Sequence, residues 1–190
     1  MKIESTKGVL SLDEATLCFN VEAEGESWSW EKDYRPCFLA GEEKVFFSDA
    51  ASIRHEAVKN GIGKGIRSSY SGFTIAGEKK ELAFETYAWI EECTGDVFFE
   101  WVPIKESAEI TKLFWPGPMA FEEKREDWYT LVNERQGFLI PNTWKNELGS
   151  IAFDGTFGTE GSYMPWYAQV KDRSGYLLIA VTPWNAGWKA

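Results

Sequence analysis

The chain has one histidine, three cysteines and no long apolar run, and each scarcity removes a class of function. A single histidine, His55, cannot build a multi-histidine metal site. No nucleophile-elbow sequence accompanies it, so His55, in the strand-like run Ile53-Arg54-His55-Glu56, reads as a structural residue rather than a member of a Ser-His-Asp arrangement. Cys18, Cys37 and Cys93 are odd in number and lack metal-ligand spacing, which argues against a disulfide framework and against zinc. They are expected to be reduced and semi-buried. No stretch approaches the roughly 20 apolar residues of a membrane span, and the opening MKIESTKGVLSLDEATLCF has no apolar signal-peptide core. The expectation is a soluble, cytoplasmic protein with no membrane partner.

Basic residues are also short. Twenty Lys and Arg face thirty Asp and Glu, for a net charge of -10 and a pI near 4.7. The cations are scattered rather than gathered into a stripe, so nucleic acid is not an expected partner. No cofactor signature emerges either. The glycine-rich run Asn60-Gly61-Ile62-Gly63-Lys64-Gly65-Ile66-Arg67 lacks a Gly-Lys-Ser/Thr ending and a following helix, so it reads as a tight loop between strands and not as a phosphate cradle. Within GIRSSYSGF, Arg67 and Tyr70 are candidates to present hydrogen bonds from a rim. Helical periodicity is nearly missing as well, with only 122–128 offering a short surface helix.

What the chain does have is aromatic weight: 16% of its residues, with ten tryptophans. Such side chains either fill a sheet core or stack on sugar rings. Period-two alternation recurs. It marks Leu17, Phe19 and Val21, and again Phe84, Thr86, Ala88 and Ile90, which alternate with Glu85, Tyr87, Trp89 and Glu91. Thr94-Gly95-Asp96 then supplies a turn into Val97–Val102, which predicts a hairpin over 83–102 lying centrally in the fold. A second hairpin is predicted over 163–182, turning at Asp172-Arg173-Ser174-Gly175. Further strands are expected at 9–12, 44–48, 53–58, 110–114, 128–132 and 138–140. With no linker or repeat in view, the reading is one all-β domain, 1–190, an antiparallel β-sandwich.

Thirty acidic residues guarantee chance neighbours, so pairs such as Glu85 and Glu100 are weak support for glycosidase chemistry, which needs a defined carboxyl separation. No catalytic residue is assigned. A more specific constellation joins proline to tryptophan at strand ends: LFWPGPMAF, GFLIPNTW, SYMPWYAQV and VTPWNAGW. It nominates Trp115, Trp144, Tyr163, Trp166 and Trp184, with Arg67 and Tyr70, as contacts to carbohydrate or to another domain. The first of these strings is expected to be a strand followed by a sharp bend, with Leu113 and Trp115 on one face, Gly117 at positive φ, and Met119 and Phe121 folded back over the sheet.

These strings, with GIGKGIRSSYSGF and FETYAWIEECTGDVFFEWVPI, resemble the N-terminal region of uncharacterised, glycoside-hydrolase-like bacterial proteins related to the endo-α-N-acetylgalactosaminidase type. The resemblance spans about 48–188. It implies a galactose-mutarotase-like supersandwich that precedes a (β/α)-barrel bearing the catalytic carboxylates. No alternating strand and helix pattern for a barrel exists in this sequence. The resemblance therefore implies a non-catalytic accessory domain of a longer carbohydrate-active protein, its partner a C-terminal barrel domain or a carbohydrate. A free-standing carbohydrate-binding module is the alternative, and aldose epimerase chemistry has only His55 to work with.

Overall fold

Strand follows strand because turn residues punctuate the chain every few positions. In a computed structural model, residues 1–121, 127–133, 137–143 and 164–181 are described, together with the backbone of two further strands, 154–156 and 187–189. The elements are β1 (Lys2–Glu4), β2 (Val9–Asp13), β3 (Cys18–Ala23), β4 (Glu26–Ser29), β5 (Cys37–Ala40), β6 (Glu43–Phe46), β7 (Ser52–Lys59), β8 (Gly63–Ile75), β9 (Glu78–Glu91), β10 (Val97–Lys105) and β11 (Ile110–Phe114). There follow β12 (Tyr129–Val132), β13 (Phe138–Pro141), β14 (Asp154–Thr156), β15 (Trp166–Lys171), β16 (Ser174–Ile179) and β17 (Gly187–Lys189). A single 3-10 turn, Phe47–Asp49, interrupts the strands among the described residues. The chain is all-β, and every strand pair among the described residues is antiparallel.

The expectation of two facing sheets gives way, among the described residues, to five sheets: β1-β2-β3-β4, β10-β9-β8-β7, β11-β5-β6, β13-β12-β15-β16 and β14-β17. By its internal contacts the chain divides into two compact units, Met1–Phe121 and Glu122–Ala190, where the sequence reads as one domain.

In the first unit the long strands β8 and β9 set the geometry. Alternation along β9 buries Leu82, Phe84, Thr86, Ala88 and Ile90 and leaves Glu85, Tyr87, Trp89 and Glu91 half-covered, as the sequence predicts. The hairpin to β10 closes through Thr94, whose hydroxyl donates to Glu91 (2.6 Å) and accepts from the Asp96 amide (3.0 Å). Strand β9 lies inside its sheet, whereas β10 is that sheet's edge, so only half of the hairpin is central.

Strand β8 corrects the sequence reading, which took its start for a loop. Asn60 does make a turn, its carboxamide oxygen accepting from the amides of Ile62 (3.0 Å) and Gly63 (2.8 Å), but Gly63 begins a thirteen-residue strand. The pairing with β9 slips between Ser71 and Phe73, where Gly72 sits at φ +76. That bulge swaps the buried set from Ile66, Ser68 and Tyr70 to Phe73 and Ile75. An L-residue resists positive φ, which is why glycine occupies the bulge.

The inner face of β8 and β9 serves two apolar clusters. Toward one end Tyr70, Phe73, Leu82 and Phe84 meet Phe38 of β5, Val45 of β6, and Phe47. Toward the other, Ile66 and Ala88 meet Ile3, Leu10, Leu12, Phe19 and Trp30 from the β1–β4 region. Phe84 is the hub of the first cluster: the rings of Phe38, Phe47, Tyr70, Phe73 and Trp101 lie 4.8–6.0 Å from its own. Ring pairs at these separations add to the area they bury.

The second unit holds β13-β12-β15-β16, with Val132 and Trp128 buried. The predicted hairpin over 163–182 is present as β15 and β16, joined at Asp172 and Arg173, with Ser174 and Gly175 already in the returning strand. The candidate helix at 122–128 falls mainly outside the described residues. Truncating the hub tests the packing in the first unit: Phe84→Ala is expected to lower stability by about 3–5 kcal/mol in urea unfolding, the range for emptying a buried aromatic site. A loss under about 0.5 kcal/mol, the level of ordinary surface changes, would contradict it.

Candidate functional site

The side chains that β8 and β9 turn away from the core converge on Arg67. The alternation that buries Ile66 and Ser68 puts Arg67 and Ser69 on the opposite face, and cross-strand register sets them beside Tyr87 and Glu85 of β9 and Glu56 of β7. Arg67 pairs with Glu56 and lies 3.8 Å from the Glu85 carboxylate, which is only 17% exposed. Glu85 also accepts from the hydroxyls of Tyr87 (2.6 Å) and Ser69 (3.1 Å). The Tyr87 phenol is held above its ordinary pKa, first because the bond to Glu85 favours its protonated form and then because of burial. One cation thus bridges two carboxylates in a half-covered, aromatic-flanked patch, with Trp89 and Phe98 edge-on at 6.4 Å. Glu85 accepts two hydrogen bonds and stands near one cation, so this group acts as an acceptor that fixes the patch.

Tyr70, nominated with Arg67 for a common rim, faces the other way. It is 3% exposed and packed between Phe47 and Phe84, each 5.1 Å away. Even and odd positions of one strand point to opposite faces, so the two residues do not share a surface. Sequence reasoning omitted Glu56, Ser69, Tyr87 and Trp89 from the candidates, although the strict alternation of β9 already places Glu85, Tyr87 and Trp89 together.

Trp115 occupies the bend after β11, half-buried and packed against both apolar clusters of the first unit. Its ring meets Phe99 at 5.5 Å and Trp30 at 6.5 Å, both edge-on. The bend behaves as the sequence predicts in its outline. Phe114 is exposed, Met119 bridges Trp30, and Phe121 stacks on Trp28 at 6.2 Å. One detail differs: Gly117 is not at positive φ, and its need for glycine comes from space. A Cβ there would lie 2.7 Å from the rings of Trp30 and Tyr34, a distance that side-chain carbons do not tolerate. The peptide bond Trp115-Pro116 is cis.

Trp166 belongs to the second unit, half-buried at the start of β15, opposite Ile179. Trp144, Tyr163 and Trp184 lie outside the described residues. No group of three or more metal-ligating side chains stands among the described residues. No helix there is long and apolar enough to cross a membrane.

His55, the only histidine, points inward from β7. Its Nδ1 lies 2.8 Å from Oγ of Ser68, which is 1% exposed, and its ring is 6.5 Å from that of Tyr70. Burial holds its pKa below the usual 6.5, against a smaller upward pull from Glu14. A histidine kept neutral by the fold gives up stability as acid charges it: the unfolded chain takes the proton first, so stability is full above the unfolded pKa and declines as pH falls through it. The denaturation midpoint is therefore expected to fall between about pH 7.5 and pH 5.5, and to fall less in His55→Asn. Equal falls in the two proteins would show that His55 titrates freely.

No protein-family model and no curated protein matches the chain. Among solved structures it is similar to the α-N-acetylgalactosaminidase NagBb from Bifidobacterium bifidum. The complexes of that enzyme with GalNAc and with Gal-NHAc-DNJ each superpose with a TM-score of 0.89, and the ligand-free enzyme with 0.86. Identity is 36% in each case, over 100% of this chain and 30% of the enzyme. The chain thus spans about 30% of the length of the solved glycoside hydrolase to which it is related.

Proposed function

We propose that this chain is a non-catalytic accessory domain of a carbohydrate-active, glycoside-hydrolase-like protein, supporting or lining the cleft of a barrel domain that the sequence does not itself encode. The observation that carries this reading is the 36% identity across the whole chain to a 30% portion of an α-N-acetylgalactosaminidase. In this reading the strands belong to a galactose-mutarotase-like supersandwich, and the protein works in the cytoplasm. The chemistry of the candidate site supports a structural part. Glu85 and Glu56 are tied to Arg67, and Glu85 also accepts from Tyr87 and Ser69, so these carboxylates are engaged within the sheet face itself. His55 is turned to the core and engaged with Ser68, which weighs against epimerase chemistry.

A second reading, a free-standing carbohydrate-binding module, is favoured by one feature. The outer face of β8–β10 sets Tyr87, Trp89 and Phe98 beside Arg67, and sugars are met by aromatic faces with a few fixed polar groups. Trp115 serves this second reading poorly, because its ring is committed to Trp30 and Phe99.

Two measurements separate the readings. The accessory domain is expected to release no nitrophenol from nitrophenyl α-N-acetylgalactosaminide and to show no saturable heat with galactose or N-acetylgalactosamine. Turnover abolished by a single carboxylate substitution would overturn the non-catalytic reading. Saturable binding lost in Trp89→Ala would instead establish the module.

A further inference from the structure

The sheet β13-β12-β15-β16 turns an uncharged, apolar face outward. Register aligns Leu139, Leu131, Ala168 and Leu177 in one row across all four strands, with Trp166 and Ile179 in the neighbouring row. No position on that face carries a charged side chain, in a chain that is 26% charged. Yet this is the open face: Leu139, Leu177 and Ile179 are 60%, 56% and 58% exposed. The opposite face contains the buried Val132 and Trp128 and the partly exposed Phe138, but also a polar row in which Tyr176 donates to Gln169 (2.6 Å) and Gln169 to Thr130 (3.3 Å). A half-covered antiparallel sheet ordinarily turns its apolar side inward and its polar side to water. A contiguous exposed apolar patch is often functional even at the few hundred Å² that an ordinary monomer shows.

We infer that this face is the docking surface for the apolar layer of a further domain carried in the same polypeptide, equivalent to the part of the solved N-acetylgalactosaminidase that this chain does not span. The inference rests on the accessory-domain reading and assigns its contact face. The size of the face selects the occupant. Four strands of 4–6 residues offer about 300 Å². Two separate chains need about 800 Å² per partner to stay together. A layer held in the same polypeptide bears no translational entropy cost, so a smaller contact suffices. The absence of charge calls for an apolar counter-surface, and the row Leu139, Leu131, Ala168 and Leu177 offers a sugar's hydroxyls no hydrogen-bonding partner, the polar tips of this face being those of Tyr129 and Trp166.

The test combines hydroxyl-radical footprinting with a surface variant. In this chain Leu139, Leu177 and Ile179 are expected to label strongly. The aligned positions in the full-length N-acetylgalactosaminidase, corrected for the intrinsic reactivity of each residue type, are expected to lose that labelling. In this chain Leu177→Glu with Ile179→Glu is expected to leave the denaturation midpoint unchanged and to reduce bis-ANS fluorescence. Strong labelling at the aligned positions of the enzyme would overturn the docking face while leaving the accessory reading, which fails separately on turnover, intact. A marked fall in the midpoint would show that the face is packed within this chain, also overturning the inference. Concentration-dependent dimers of the wild type that the double variant abolishes would replace the further domain by a second copy.

Discussion

The contact between Phe84 and the five rings around it organises the first unit, because it is where three sheet elements and one turn meet. Phe38 comes from β5, Phe47 from the 3-10 turn, Tyr70 and Phe73 from β8, and Trp101 from β10. The hub exists only because β8 and β9 are long, at 13 and 14 residues, and paired along almost their whole length. A strand pair of that length rises through roughly 40 Å, at about 3.3 Å per residue, and so can serve a second cluster around Ile66 and Ala88 as well. The functional candidates inherit their positions from the same pairing. Since the inner residues are fixed by packing, the alternate ones, Arg67, Ser69, Glu85 and Tyr87, have no freedom about which surface they decorate.

What was legible in the sequence followed the regularity of the strands. Leu82 to Ile90 alternates without a break, and β9, its turn at Thr94-Gly95-Asp96 and β10 could be read directly. Strand β8 could not, for two physical reasons. Its buried positions include Ser68, which satisfies itself against His55, and the bulge at Gly72 reverses the phase before Phe73. The same oversight paired Arg67 with Tyr70, although three positions of separation on a strand means opposite faces. The bend at Trp115 was legible because proline and glycine punctuate it. The reason for Gly117 was not, since contact with Trp30 and Tyr34 is a long-range fact. A boundary near residue 121 carries no compositional mark, so the two units did not announce themselves.

The two units solve the burial problem differently. The first turns its charged and mixed face outward and closes its apolar face internally, whereas the second leaves an uncharged apolar face uncovered. A related enzyme of which this chain spans 30% supplies a context in which such a face has work to do. In that context the Arg67 patch acts as a brace: Arg67 ties Glu56 to Glu85, and Glu85 in turn holds Tyr87 and Ser69.

Native-state hydrogen exchange tests the dependence on β8 and β9 most directly. If this pair is the spine of the first unit, the amides of Ile66–Tyr70 and Leu82–Ala88 will exchange only through global unfolding of that unit, with one shared denaturant dependence. Exchange of these amides by local opening, ahead of those in β2, β3 and β5, would contradict the account.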